Sequence, residues 1–221
     1  MEESKIIPIN LGFVNAYLVK IKSGFVLIDT GLSSQFEQLD KQLVEAGCNN
    51  LKLIILTHGD IDHTGNCKAL KEKYKSKIAM TKTEYDFLKS GEIPKRKIKK
   101  LLFKIIFGIF IFFRRLSGKK LQVNFKPDIF LKDGNSLKKF GLDAKILEAP
   151  GHTKGSIVIY TKDGDLFSGD TIVNNKKPIA AYIVENQEEL DDSMKKIKAL
   201  KIKNVYPGHG KEFSGKSISE L

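Results

Sequence analysis

Apolar positions along the chain fall into two periods. Asn15–Lys20 and Gly24–Asp29 run apolar or alternate with β-favouring residues, so each reads as a strand, and Lys22-Ser23-Gly24 joins them as a hairpin. The period then changes: within Ser33–Ala46, Phe36, Leu39, Leu43 and Val44 recur at the spacing of an amphipathic helix. Gly47 is placed to end that helix. Leu51–Leu56 is a short buried-strand run that stops at Thr57-His58-Gly59-Asp60. The pattern predicts a helix from near Asn66 to around Tyr74 and a strand over Lys77–Thr81. Further on, Ala144–Leu147, Ser156–Thr161 and Asp165–Phe167 read as strands, Glu188–Leu200 as a helix, and Asn204–Tyr206 as a last strand. Strands outnumber helices in each half. That order predicts an α/β fold of the αββα sandwich type, with two mixed sheets face to face and helices on the outer faces.

The 221 residues suit one layered domain spanning 1–221, interrupted by an insertion at about 92–126. Charge singles out that insertion. Between Ile93 and Pro127 lie eleven lysines and arginines and no acidic residue, and without them the net charge of +12 falls to +1. The excess therefore belongs to one segment, and a general nucleic-acid-binding surface is disfavoured. Cys48 and Cys67 are far apart and lack a CxxC-type partner, which suits free thiols in a reducing compartment. The polar opening Met1-Glu2-Glu3-Ser4-Lys5 does not resemble a secretory signal, so a cytoplasmic location is expected.

Candidate chemistry gathers in four short segments, each placing a His or Asp just after a predicted strand. They are His58-Gly59-Asp60-Ile61-Asp62-His63, Gly151-His152-Thr153, Gly169-Asp170-Thr171 and Pro207-Gly208-His209-Gly210. All four histidines of the chain lie in them. Strand ends on one edge of a sandwich converge, so ligands distant in sequence can meet there.

These residues resemble the metallo-β-lactamase superfamily, with Asp29-Thr30-Gly31 as the first motif, His58–His63 as the second, and then His152, Asp170 and His209. The resemblance runs from about Asn15 to His209 apart from the basic segment. It implies the αββα fold and two divalent metal ions. His58, Asp60 and His152 would hold the first ion, Asp62, His63 and His209 the second, and Asp170 would bridge them. Asp29 is not a ligand in the family and is expected to brace the metal loop by hydrogen bonding. The second motif usually reads His-x-His-x-Asp-His, so Asp60 is a departure. A carboxylate is itself a competent ligand, and its hard oxygen moves the preference from zinc, the usual ion, towards iron or manganese. Counting two ions, a bridging hydroxide and the carboxylates, Asp60 lowers the site charge from +1 to zero.

The resemblance implies hydrolysis of a small-molecule ester, thioester, lactone or amide by metal-bound hydroxide, with Asp62 orienting the nucleophile or carrying its proton. Glyoxalase II is disfavoured, because that group has three consecutive histidines after the threonine that corresponds to Thr57. Two rival readings stay open: a di-iron redox enzyme with a separate electron donor, prompted by Asp60, and a membrane-docking module with a structural metal site. The second rests on the segment 95–120. There Leu101–Phe113 is apolar except for Lys104 and carries five of the fourteen phenylalanines. As a helix it would be ~20 Å long, short of the ~30 Å hydrocarbon core. A lid on the domain, an interfacial helix on an anionic membrane surface and a homodimer contact are all compatible with it, and a greasy lid would suit a lipophilic substrate.

Overall fold

The structure, a computed structural model, describes residues 5–98, 109 and 123–221. Leu101–Phe113, on which the lid, membrane and dimer readings rest, lies outside the described residues except for Ile109. No helix among the described residues is long and apolar enough to cross a membrane.

Two sheets face each other. The first contains β1 (Ile6–Asn10), β2 (Asn15–Ile21), β3 (Gly24–Ile28), β4 (Leu51–Ile55), β5 (Lys77–Thr81) and β7 (Ile129–Leu131), in that spatial order. Its β1–β2–β3 part is antiparallel and its β3–β4–β5–β7 part parallel. The second sheet has the order β15 (Phe213–Ser214), β14 (Asn204–Pro207), β10 (Asp165–Gly169), β9 (Ile157–Thr161), β8 (Ala144–Glu148). Two short pairs stand apart from these sheets: β11 (Ile172–Val173) with β12 (Ile179–Ala180), and β6 (Lys97–Ile98) with β13 (Ile183–Val184).

Both faces of each sheet are covered, which is why the strands read as near-continuous apolar runs. On β2 and β3, Ala16, Leu18, Phe25 and Leu27 face α1 (Phe36–Glu45) and α3 (Cys67–Tyr74), meeting Leu39, Leu43 and Leu70. The alternate residues Tyr17, Val19, Val26 and Ile28 face the second sheet and pack with Ile146, Ile157, Ile159 and Phe167. On the far side, Val158, Leu166 and Val205 are covered by Leu190, Met194 and Ile197 of α5 (Gln187–Lys198). Fully burying each such side chain is worth ~1.5–3 kcal/mol, and together they fix the expected sandwich order.

Among the elements that the hydrophobic pattern did not predict, two have a clear physical reason. β1 contains Pro8, which a central strand would reject, and it is tolerated because β1 is the sheet's edge. α4 (Lys82–Ser90) follows β5 with no intervening loop. Thr81 ends the strand and also caps the helix, its hydroxyl accepting from Glu84 N.

Strand direction positions the site. β10 and β14 are parallel, and β8 runs the same way because both it and β10 are antiparallel to β9. The carboxyl ends of β8, β10 and β14 therefore open on one edge, where they meet those of β3 and β4. After β4 a single helical turn, α2 (Ile61–Thr64), carries Asp62 and His63. Cross-sheet hydrogen bonds hold that edge closed: Tyr17 OH donates to Pro207 O at 2.7 Å, Asn15 N to Gly208 O at 2.8 Å, and Ile157 N to Thr57 O at 2.9 Å.

Candidate metal centre

All seven residues named as metal ligands come together at this edge. The imidazole of His58 lies 4.1 Å from that of His63 and 4.8 Å from that of His152, and His63 lies 5.4 Å from His209, centroid to centroid. Backbone crowding explains the glycines. A Cβ on Gly208 would stand 2.7 Å from His63 Cε1, so only glycine lets this turn pass beneath the ring.

Each imidazole is turned the same way by a hydrogen bond at Nδ1. His152 donates to Ile183 O at 2.7 Å and His209 to Phe13 O at 2.6 Å. His63 donates to Asp29 Oδ2 at 2.8 Å. Thr57 Oγ1 gives its own proton to Asp29 Oδ2, so at 3.0 Å from His58 Nδ1 it must accept. Carbonyls and carboxylates can only accept, which places a proton on Nδ1, so in the neutral ring the lone pair is on Nε2 and faces inward. Asp29 also accepts from Thr57 N at 2.8 Å, so one carboxylate braces both His63 and the loop that carries His58.

The inward Nε2 atoms meet three carboxylates. Asp60 Oδ2 is 3.4 Å from His58 Nε2 and 3.3 Å from His152 Nε2. Asp62 Oδ2 is 3.4 Å from His209 Nε2 and 3.9 Å from His63 Nε2. Asp170 faces both groups: its Oδ1 is 3.4 Å from His63 Nε2, and its Oδ2 is 3.2 Å from His209 and 3.7 Å from His152. An ion with ~2.1 Å bonds to tetrahedral ligands needs donor atoms ~3.4 Å apart, which these separations approach. His58 Nε2, His63 Nε2 and Asp170 Oδ1 are buried without a hydrogen-bond partner among the described residues, a costly state that a cation would relieve. Among the described residues three clusters could accept an ion: His58/Asp60/His152, Asp62/His63/His209, and His58/His63/Asp170.

The local field is strongly cation-seeking. Burial disfavours the His63 imidazolium, but Asp29, Asp170 and Asp62 outweigh it and raise its pKa to about 9. Burial likewise opposes charge on His209, and Asp170 and Asp62 reverse the balance, lifting it well above its usual value. Burial would raise the Asp170 pKa, yet His209, His63 and His152 hold it far below the carboxylate range.

Three neighbours of this centre were not marked by the sequence. Arg96 is buried and forks onto Asp60, with Nη1 2.5 Å from Oδ2 and Nη2 2.6 Å from Oδ1. Its Nε lies 3.7 Å from Glu185 Oε1. Glu84 is buried and accepts from Gly59 N at 2.6 Å and Gly155 N at 2.8 Å, stapling the His58 and His152 loops together. Thr81-Lys82-Thr83-Glu84 has the spacing of a capping box and could have located α4. Nothing local distinguishes Arg96 from the basic residues around it.

Fold and site together define a metal-binding αββα protein. A sequence profile of the metallo-β-lactamase superfamily matches residues 9–209. The chain is 28% identical over 201 residues to a probable metallo-hydrolase of Methanocaldococcus jannaschii, covering 89% of this chain and 87% of that protein. It is 25% identical over 195 residues to a probable polyketide biosynthesis zinc-dependent hydrolase of Bacillus velezensis, covering 87% and 71%. The crystal structure of a metallo-β-lactamase family protein from Thermus thermophilus shares the fold, with a TM-score of 0.72 at 23% identity, over 98% of this chain and 77% of that one. The chain belongs to the metallo-β-lactamase superfamily.

Proposed function

We propose that this protein is a two-metal hydrolase acting on an ester, thioester, lactone or amide. His58, Asp60 and His152 would hold one ion, Asp62, His63 and His209 the other, and Asp170 would lie between them. The observation that carries this reading is the set of four inward Nε2 atoms, two of them buried without partners, facing three carboxylates. The relatives named as metallo-hydrolases support the class. When bound, the ions would supply an activated water and polarise the scissile carbonyl.

The chain's own contribution centres on Asp62. Its Oδ2 lies 3.4 Å from His209 Nε2 and 3.9 Å from His63 Nε2, which places the carboxylate where it could orient a water or carry its proton. All four imidazoles already have their rings fixed by Nδ1 partners, which leaves none to serve as a separate base. Phe13 is 56% exposed and stacks on His209 at 5.8 Å, and Ile61 is exposed between Asp60 and Asp62. An apolar rim of this kind suits an acyl or other lipophilic group on the substrate.

The test is a substrate panel on protein reconstituted with zinc, iron or manganese: esters and thioesters of several acyl lengths, lactones, amides and phosphodiesters. Carboxylic substrates should be cleaved, chelator should abolish the reaction, and Asp62→Ala should lower kcat. Cleavage of phosphodiesters alone would overturn the reading. Reductant-dependent consumption of oxygen by the iron form, without hydrolysis, would support the di-iron alternative that Asp60 suggests.

A further inference from the structure

We infer that Arg96 is a positioning residue for the metal centre: it turns Asp60 into the electrostatic equivalent of a neutral ligand and aims its Oδ2 at His58 and His152. The inference rests on the two-ion reading above and adds a residue that the superfamily pattern does not assign.

The geometry argues for it in three ways. The guanidinium takes one lone pair on each oxygen of Asp60, and a carboxylate has about four such sites. Oδ2 therefore keeps a free direction, and the fork fixes that direction towards the two Nε2 atoms 3.4 and 3.3 Å away. Second, the Arg96 side chain is only 5% exposed, so its charge is a fixed part of the site and not a solvated surface charge. Adding it to the charge count cancels Asp60, and a centre expected to be neutral returns to +1. Third, Arg96 is held by the same ladder that orients His152. Arg96 directly precedes β6, whose Ile98 and Lys97 pair with Ile183 and Val184 of β13. Ile183 offers its carbonyl to His152 Nδ1, and the next residues of that strand lead to Glu185, which faces Arg96 Nε. Glu185 is itself tied to the His152 loop, its N donating to Gly151 O at 2.8 Å and its Oε2 accepting from Lys154 N at 3.0 Å. The start of the basic insertion is thus interlocked with two loops that carry metal ligands.

The alternative is that Arg96 only anchors the insertion. A double-mutant cycle on the full chain separates the two roles, because an anchor should not depend on which side chain stands at residue 60. Wild type, Arg96→Gln, Arg96→Lys, Asp60→His and Asp60→His/Arg96→Gln would be titrated with Co(II), following stoichiometry and the d–d absorption spectrum, and with zinc against a chromogenic chelator. We expect wild type to bind two ions. Arg96→Gln should weaken one of them by at least ~tenfold, the scale seen when a ligand's supporting partner is lost. Arg96→Lys should restore only part of it, since an ammonium keeps the charge but not the fork. Asp60→His alone should also bind poorly, because it leaves the buried guanidinium without its fork and close to the ion, and adding Arg96→Gln should improve binding. Equal losses from Arg96→Gln in both backgrounds, or none in either, would overturn the inference while leaving the two-ion reading intact. A wild-type chain that binds no Co(II) or zinc would overturn both.

Discussion

The carboxylate of Asp29 lies 2.8 Å from Nδ1 of His63 and accepts two further hydrogen bonds from Thr57, through N and Oγ1. One side chain therefore orients the buried ring and the strand end beside it. Asp29 has φ +58, a left-handed conformation that Asn also tolerates. Asp29→Asn should therefore leave the backbone in place while removing the negative charge behind His63. Metal affinity should fall about tenfold with an unchanged far-ultraviolet circular dichroism spectrum. Unaltered affinity in a chelator competition would show that Asp29 serves only the fold.

Asp170 has an oxygen towards each half of the centre, with Oδ1 near His63 and Oδ2 near His209 and His152. Replacing it with alanine should cost more than one ion's worth of affinity. Elemental analysis after reconstitution should approach two ions per chain in wild type and lose most of them in Asp170→Ala. Retention of both ions by the variant would remove Asp170 from the ligand set.

Glu84 is the acceptor for two backbone N–H groups, of Gly59 and Gly155, on different loops. In Glu84→Gln one oxygen becomes an NH2 that faces a donor, leaving a buried polar group unsatisfied at ~1–3 kcal/mol. For a chain of this size that corresponds to a melting temperature lower by roughly 2–12 °C. Differential scanning calorimetry should show the loss, and metal affinity should fall with it because both loops carry proposed ligands. A melting point equal to wild type would mean that the loops hold their positions without the staple.

The metal-free protein should respond to pH in a direction set by His63. Its folded-state pKa is raised from 6.5 to about 9. A raised folded value contributes stability that is fully present below the unfolded value and is lost as pH climbs through about 9. Asp60, Asp62 and Asp170 are depressed, so their contribution is present above the ordinary carboxylate value of 3.8 and is lost as pH falls through their folded values. The metal-free chain should therefore be most stable between the two values of 3.8 and 6.5 and should weaken towards about 9. Zinc competes with the proton on Nε2, so the stabilisation it adds should grow over the same interval. Thermal melts of chelator-treated and zinc-loaded protein would measure both trends, and a zinc increment that stays flat with pH would argue against His63 as a ligand.

Phe13 combines two contacts with His209: its carbonyl accepts from Nδ1, and its exposed ring stacks on the imidazole. Only the ring is removed by Phe13→Ala. The variant should keep its metal and its kcat on short acyl esters, and should raise KM for long-chain ones by several-fold, since ~0.8 kcal/mol accompanies each CH2 buried. Parallel KM changes for short and long chains would mean that the ring does not contact the acyl group.

How far the sequence reaches can be read residue by residue. The period-two alternation of β2 and β3 already assigned Leu18 and Val19 to opposite faces, because strand geometry allows nothing else once both faces are apolar. The cluster His58–His63 and the isolated His152, Asp170 and His209 were legible for a similar reason: each sits at a strand end, and parallel strand ends share an edge. What stayed hidden depends on contacts between segments with no common local signature. Glu84 looks like a helix-cap residue, yet its carboxylate reaches 25 and 71 positions along the chain, to Gly59 and Gly155. Arg96 looks like one cation among the eleven between Ile93 and Pro127, yet it is forked onto Asp60 in the loop that carries His58 and His63. Charge counted along the chain placed Arg96 in a basic segment apart from the site and counted Asp60 without a cation beside it. Only the pairing of β6 with β13 brings the two together in a buried space, where opposite charges must pair because water is no longer there to solvate them. The residue types and their order thus determined which groups assemble at the edge, and the tertiary structure decided the net charge they carry there.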